Sequence, residues 1–207
     1  MQSIEDQGYD ARLQPAAVAL FDRLLAPLRF PLHGLQLLAA YVGQMAPGGR
    51  FTIAAAFQAA DEVRRIQRIA YRQALLGRTH AEVGRLSRQA WQSEALWQPL
   101  RKLIEELLVV WDWGECFAAL NLSLKPRFEE LFIVRLARAA RDLGDPLLAE
   151  LLDSLGRDGR WHREWAAALV QAATADRADN QALLQRWTSA WDARVAEALQ
   201  PFARELE

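Results

Sequence analysis

Cysteine, lysine and threonine are all scarce in this chain, and the shortages rule out whole classes of explanation. A single cysteine, Cys116, excludes an internal disulfide framework and fits a reducing compartment. Four threonines, few β-branched runs and no alternating segment closed by an Asn-Gly or Asp-Gly turn leave almost no strand signal. A surplus of one charge is also missing. With 25 basic and 26 acidic residues the net charge is −1, so no overall field draws the chain to nucleic acid or to an anionic membrane. One uncharged stretch, 30–49, is long enough to raise the question of a membrane span. It carries His33, Gln36, Gln44 and two prolines, which suit a buried helix of a soluble protein better than a lipid-facing one. The N-terminus, MQSIEDQGYDAR, is acidic and lacks an apolar core, so it is not a secretory signal and a cytoplasmic location is expected. Glycine-rich phosphate loops, zinc-ligand spacings and Ser-His-Asp signatures are absent.

Alanine, leucine, arginine, glutamate and glutamine dominate, and all are good helix formers. Hydrophobic residues at 52% and charged residues at 25% belong to a globular chain, and 207 residues fit one domain spanning 1–207. Glycine and proline divide the sequence into helices. The pattern predicts helices over about 15–28, 31–45 and 51–76, a short one capped by Thr79, then about 94–110, 113–141 with a bend at Pro126, 146–174 and 179–203. The expected architecture is all-α, a bundle of long antiparallel helices with smaller ones packed around it. Eight tryptophans fall in near pairs: Trp91 and Trp97, Trp111 and Trp113, Trp161 and Trp165, Trp187 and Trp191. They read either as helix–helix packing or as an exposed aromatic patch that docks a partner.

The stretch Asp61-Glu62-Val63-Arg64-Arg65 raises the chemical question. Glu62 falls on an apolar stripe with Ala55, Gln58, Ile66 and Ile69. A carboxylate there must be paired, protonated or metal-bound, because an isolated buried charge is costly. Arg65, one turn later, supplies a partner on the same helix, and an intrahelical ion pair accounts for Glu62 without a metal. Glu115, Glu129 and Glu130 have no histidine three residues after them and read as a solvated face or an interface. His33 and His80 read as exposed or ordinarily hydrogen-bonded. Cys116, with no base and no second cysteine nearby, reads as a packed thiol.

Three ordered blocks carry a family resemblance. They are PLHGLQLLAAYVGQMAPGGRFTIAAAFQAADEVRRIQRIAYR at 31–72, WDWGECFAALNLSLKP at 111–126 and DSLGRDGRWHREWAAALV at 153–170. Together they resemble the beta subunit of the hydroxylase component of bacterial multicomponent diiron monooxygenases. These are the toluene, phenol, alkene and methane hydroxylases, and the toluene branch is the closest. The resemblance implies a ferritin-like fold shared by the alpha and beta subunits of that family, of which only alpha holds two irons. The ligands there are a lone Glu and one D-E-x-R-H unit in each half of the bundle. Carried onto this chain, Glu62 falls on the first unit's glutamate and Arg65 on its histidine, while the lone acid falls near Leu32 or His33. In the second half, Gly159 falls on the glutamate and His162 on the histidine, and the lone acid falls near Lys125. Two of six ligand types survive, with Arg65 and Lys125 bringing positive charge to where metal cations would sit. Glu62, Arg65, Lys125, Gly159 and His162 are therefore expected to be relic positions, with Arg65 and Lys125 balancing Glu62. No catalytic, metal or cofactor-binding residue is expected in this chain.

The function implied is that of a non-catalytic structural subunit. It would scaffold a catalytic alpha subunit whose diiron centre inserts one oxygen atom from O2 into an aromatic or alkene substrate. The implied complex holds two copies each of alpha, beta and gamma. It takes electrons from NADH through a separate reductase, by way of a Rieske ferredoxin in the aromatic branch, and needs a small effector protein. Helices 31–45 and 51–76 are expected to face alpha. Beta subunits of this family carry a longer N-terminal segment, whereas the bundle here starts almost at once, as a minimal natural version or a trimmed chain would. Two rivals stand beside this reading: a stand-alone ferritin-like metal-dependent oxidase, and a metal-free helical protein that binds a small molecule.

Overall fold

The computed structural model describes residues 8–206, and every regular element among them is helical. Helix α1 covers 15–25, its last turn, Phe21–Leu25, wound wide as a π-helix. It is followed by α2 (Arg29–Met45), α3 (Gly49–Leu76), α4 (Ser87–Ser93) and α5 (Gln98–Leu107). Helix α6 runs unbroken over 113–142, and α7 (Pro146–Asp176) and α8 (Asp179–Glu205) complete the chain.

Local chemistry sets the boundaries. Gly144, at φ +80°, ends α6, and the Asp145 carboxylate accepts from the Leu148 N–H at 2.9 Å to cap α7, with Pro146 beginning the helix. So short a turn makes α6 and α7 antiparallel neighbours. Helices α2 and α3 form the other close pair. A Cβ at Gly43 would lie 3.2 Å from the Ala55 Cβ, so the glycine is what lets the two backbones approach. Helix α8 packs on α5 and on the 118–124 part of α6. There Trp97, Phe128, Phe132 and Phe202 meet with ring centroids 4.7 to 6.0 Å apart.

One local expectation needs correction. No helix starts at Thr79; its hydroxyl instead donates back to the Leu76 carbonyl at 3.2 Å and closes α3. Turns then continue through Gly84, which takes φ +82° and donates its N–H to Asp22 Oδ1 at 2.6 Å, and the short helix begins only at Ser87. Helix α6 passes Pro126 without ending. The carbonyl four residues before this proline belongs to Leu122, inside the wide π-helical segment Ala118–Leu124, so the ring meets a turn that is already open.

Packing explains most of the tryptophans. Trp97 and Trp191 are buried, and Trp161, Trp165 and Trp191 donate their indole N–H groups to Asp61, Gln58 and Glu115. Trp111 is the exception at 89% exposure. Among the described residues no helix is long and apolar enough to cross a membrane.

Candidate functional site

Helix α3 turns one continuous stripe inward: Gln58, Glu62, Arg65, Ile69, Arg72 and Leu76, at alternating spacings of four and three. Its polar members meet α6 and α7 at the centre of the bundle. The Glu62 and Arg65 side chains are fully buried. Arg65 Nη1 lies 3.3 and 3.4 Å from the two Glu62 oxygens, and Nη2 donates to Glu129 Oε1 at 2.8 Å and to the Leu155 carbonyl at 3.4 Å. The Lys125 ammonium pairs with Glu62 Oε1 and lies 3.2 Å from Glu129 Oε1. From the outer side of α7, Arg163 Nη1 donates to Glu129 Oε2 at 2.8 Å. Two carboxylates are thus held by three cations contributed by three helices.

Gly159 makes the room. A Cβ at 159 would lie within 2.9 Å of Glu129 Cδ and both its carboxylate oxygens, so only glycine lets this carboxylate lie against α7. Next to it, His162 Nε2 is 3.1 Å from Asp61 Oδ2, and that oxygen also accepts the Trp161 indole N–H at 3.0 Å. Arg64 pairs with Asp158 on the flank.

Burial and neighbouring charges fix the protonation states. Burial alone would raise the Glu129 pKa, but Lys125 and Arg65 outweigh it and hold the carboxyl below its ordinary range. Burial would likewise lower the Arg65 pKa, and Glu62 and Glu129 reverse that, so the guanidinium stays charged. For His162 all the influences agree. Burial, then Lys125, Arg65 and Arg163, push its pKa down to about 2, so the ring is neutral. Asp61 moves upward, chiefly through burial and then Asp158.

The positions singled out in the sequence, Glu62, Arg65, Lys125, Gly159 and His162, are therefore brought together, and Arg65 is far from bulk solvent. Leu32 is buried in the core, while His33 is exposed. The reading of Glu129 as a solvated residue is wrong. It is 5% exposed and bonded to all three cations, because Lys125 and Glu129 share a face at i,i+4 on the α-helical turn between two π-helical segments, Ala118–Leu124 and Glu130–Arg135. Glu115 is half-buried and accepts from Trp191 Nε1 at 3.0 Å, and Glu130 is exposed. His80 Nε2 lies 2.8 Å from the Asp10 carbonyl oxygen. Cys116 is buried, and burial followed by Glu115 pushes its thiol up to about 12, leaving it an unreactive packed group.

Sequence reasoning missed Glu129 and Arg163, and also a further buried cluster around Arg72. Arg72 Nε donates to Asp145 Oδ2 at 2.9 Å, and its two terminal nitrogens reach the Asp10 carboxylate at 3.1 and 2.6 Å. Tyr9 donates its hydroxyl to Asp145 Oδ1 at 2.9 Å and accepts the Leu147 N–H at 3.2 Å. The available signal was Arg72 itself, seven residues after Arg65 on the same stripe.

Both central carboxylates are already neutralised by side-chain cations, and the buried Nδ1 of His162, which has no hydrogen-bond partner among the described residues, belongs to a ring that feels the charges of Lys125, Arg65 and Arg163. That donor set does not suit a pair of divalent or trivalent ions. Among the described residues no three His, Cys, Asp or Glu side chains are grouped so as to hold a metal ion.

With that geometry established, known proteins give a consistent match. Residues 1–177 match the family model described as Methane/Phenol/Alkene Hydroxylase. The chain is 39% identical over 207 residues to the hydroxylase component subunit beta of the toluene-4-monooxygenase system of Ectopseudomonas mendocina, covering 96% of this chain and 63% of that protein. It is 27% identical to the phenol 2-monooxygenase oxygenase component DmpL of Pseudomonas sp. (strain CF600), covering 94% of this chain and 59% of the relative. A chain in the solved structure of toluene 4-monooxygenase with toluene bound in its resting active site superposes with a TM-score of 0.95 at 33% identity, covering 99% of this chain and 68% of that one. The chain thus spans 63% and 59% of the lengths of the two curated relatives.

Proposed function

The chain belongs to the Methane/Phenol/Alkene Hydroxylase family, and within it we propose that this protein is a beta subunit: a single ferritin-like domain that scaffolds a catalytic, diiron-holding alpha subunit and performs no chemistry of its own. The observation that carries this reading is the charge substitution at the bundle centre. Arg65 and Lys125 sit at positions where the resemblance places iron ligands, and they neutralise Glu62 and Glu129 directly. On this reading Glu62, Arg65, Lys125, Gly159 and His162 are the remnant of a metal site. The partner would supply the diiron centre and the substrate pocket, and the assembled enzyme would hydroxylate an aromatic or alkene substrate in the cytoplasm. Gamma and effector proteins, together with an NADH-driven reductase and a Rieske ferredoxin, complete the proposed system. Neither nucleic acid nor membrane is a partner.

The alpha-facing surface is placed on α2 and α3. Leu37, Met45, Ile53, Phe57 and Val63 on these helices stand 40% to 63% exposed, and such a surface favours a partner. The test is affinity purification of the tagged chain from its native host, with mass spectrometry of what co-elutes. Equimolar recovery of a larger protein bearing two complete D-E-x-R-H units is expected, and Phe57→Asp should reduce that recovery. A chain that elutes alone, stable and monomeric, would remove the subunit reading.

A further inference from the structure

Away from the ion cluster, the start of α6, the end of α7 and the start of α8 border a half-open pocket of about 260 Å3. Trp113, Phe117, Leu169, Val170, Leu184 and Trp187 form most of its wall. Its polar residues are committed to backbone. The Asp112 carboxylate accepts from Gly114 N at 2.8 Å and Glu115 N at 3.1 Å, and Asn180 Nδ2 donates to the Ala173 carbonyl at 2.8 Å. Among the described residues no lysine, arginine or histidine lines the pocket. The one charged group in the lining is the Asp112 carboxylate, which repels an anion, and a strongly hydrated ligand would lose water with little compensation.

One wall includes a glycine. A Cβ at 114 would lie 3.2 and 3.3 Å from two Trp187 ring atoms, so Gly114 lets the indole come close to the α6 backbone. An apolar cavity of roughly 150 Å3 is enough to hold benzene or xenon. We propose that this pocket is a binding site for a small neutral hydrocarbon, a single-ring arene or an apolar molecule of similar size. Dispersion against the two indoles and the aliphatic wall would hold it. The proposal stands on the pocket alone and does not depend on the subunit role.

The test uses the full chain, purified with whatever subunits accompany it, and iodobenzene as the probe. Anomalous scattering should place iodine between Trp113, Leu184 and Trp187, and iodobenzene should quench tryptophan emission saturably in solution. Leu184→Phe, which fills the pocket, should raise the half-saturating concentration roughly tenfold or more, about 1.4 kcal/mol. Ala173→Leu serves the same purpose if that variant fails to fold. Three results would overturn the proposal: no iodine in the pocket, iodine without saturable quenching (binding at crystal concentration only), or a side chain of another subunit already seated there. Equal competition by tetramethylammonium would overturn it as well, by identifying the pocket as a cation site.

Discussion

Arg65 and Arg72 lie two turns apart on the same stripe of α3, both with fully buried side chains, yet they are neutralised in different ways. Around Arg72 every guanidinium nitrogen has a partner, and the partners hold backbone in place. Asp145 caps α7, and Tyr9 ties the beginning of the described chain to the turn between α6 and α7. The centre around Arg65 has leftovers. Among the described residues, the buried Arg65 Nε and His162 Nδ1 have no hydrogen-bond partner, and only a glycine at 159 accommodates Glu129. A cluster serving only stability resembles the one at Arg72. The proposed relic reading accounts for the difference: on it, the cluster at Arg65 is a former metal site refitted with cations. Buried ion pairs contribute little net stability, but removing one member leaves an uncompensated charge.

That contrast can be broken experimentally, and the largest effect should come from the centre. Arg65→Met removes the group that bridges Glu62 and Glu129, and it should cost about 3–5 kcal/mol in denaturant unfolding. A loss under about 1 kcal/mol would show that Lys125 and Arg163 suffice without it.

The next effect is in pH. His162 has a folded pKa of about 2, far below its ordinary value. Only the unfolded chain therefore takes up this proton as pH falls below about 6.5, and stability declines by about 1.4 kcal/mol per pH unit at most. Glu129, whose folded pKa is also lowered, adds to the same decline once pH falls past about 4.3. His162→Gln should flatten the curve between about pH 6.5 and 4.5. The end cluster titrates at the other extreme. Burial, followed by Asp145, raises the Tyr9 pKa, so its stabilising effect is intact below about pH 10 and is lost above it. Unfolding curves from about pH 4 to 11 would separate the two regions, and a wild-type curve flat across the acid range would contradict the assignment.

Smaller effects follow. Gly159→Ala should cost about 1–3 kcal/mol by pushing on the Glu129 carboxylate, and Glu129→Gln in the same chain should make the two losses non-additive. Tyr9→Phe removes one hydroxyl from the end cluster and should cost about 1 kcal/mol. If Tyr9→Phe proves worse than Gly159→Ala, the end cluster is the more demanding of the two.

Much of this was legible in the sequence, and the failures have a common cause. Glycine and proline placed the long helices to within a few residues, and the three-and-four spacing put Glu62 and Arg65 on the buried face. Glu129 was set aside because no histidine follows it three residues later, a test for metal ligands that is blind to a carboxylate buried among side-chain cations, two of them from other helices. Gly159 is visible as a glycine, but its neighbour, a carboxylate 30 positions earlier on another helix, is a tertiary fact. The end cluster joins residues as far apart as Tyr9 and Asp145, and no local pattern announces that pairing.

The central claim is that cations stand where a metal would, and iron content tests it most directly. The purified full chain would be incubated anaerobically with Fe(II), desalted, and its iron quantified per chain. The account predicts no stoichiometric iron, with Arg65→His alone insufficient to recruit it. Two irons retained per chain would contradict the account and restore the reading of an enzyme in its own right.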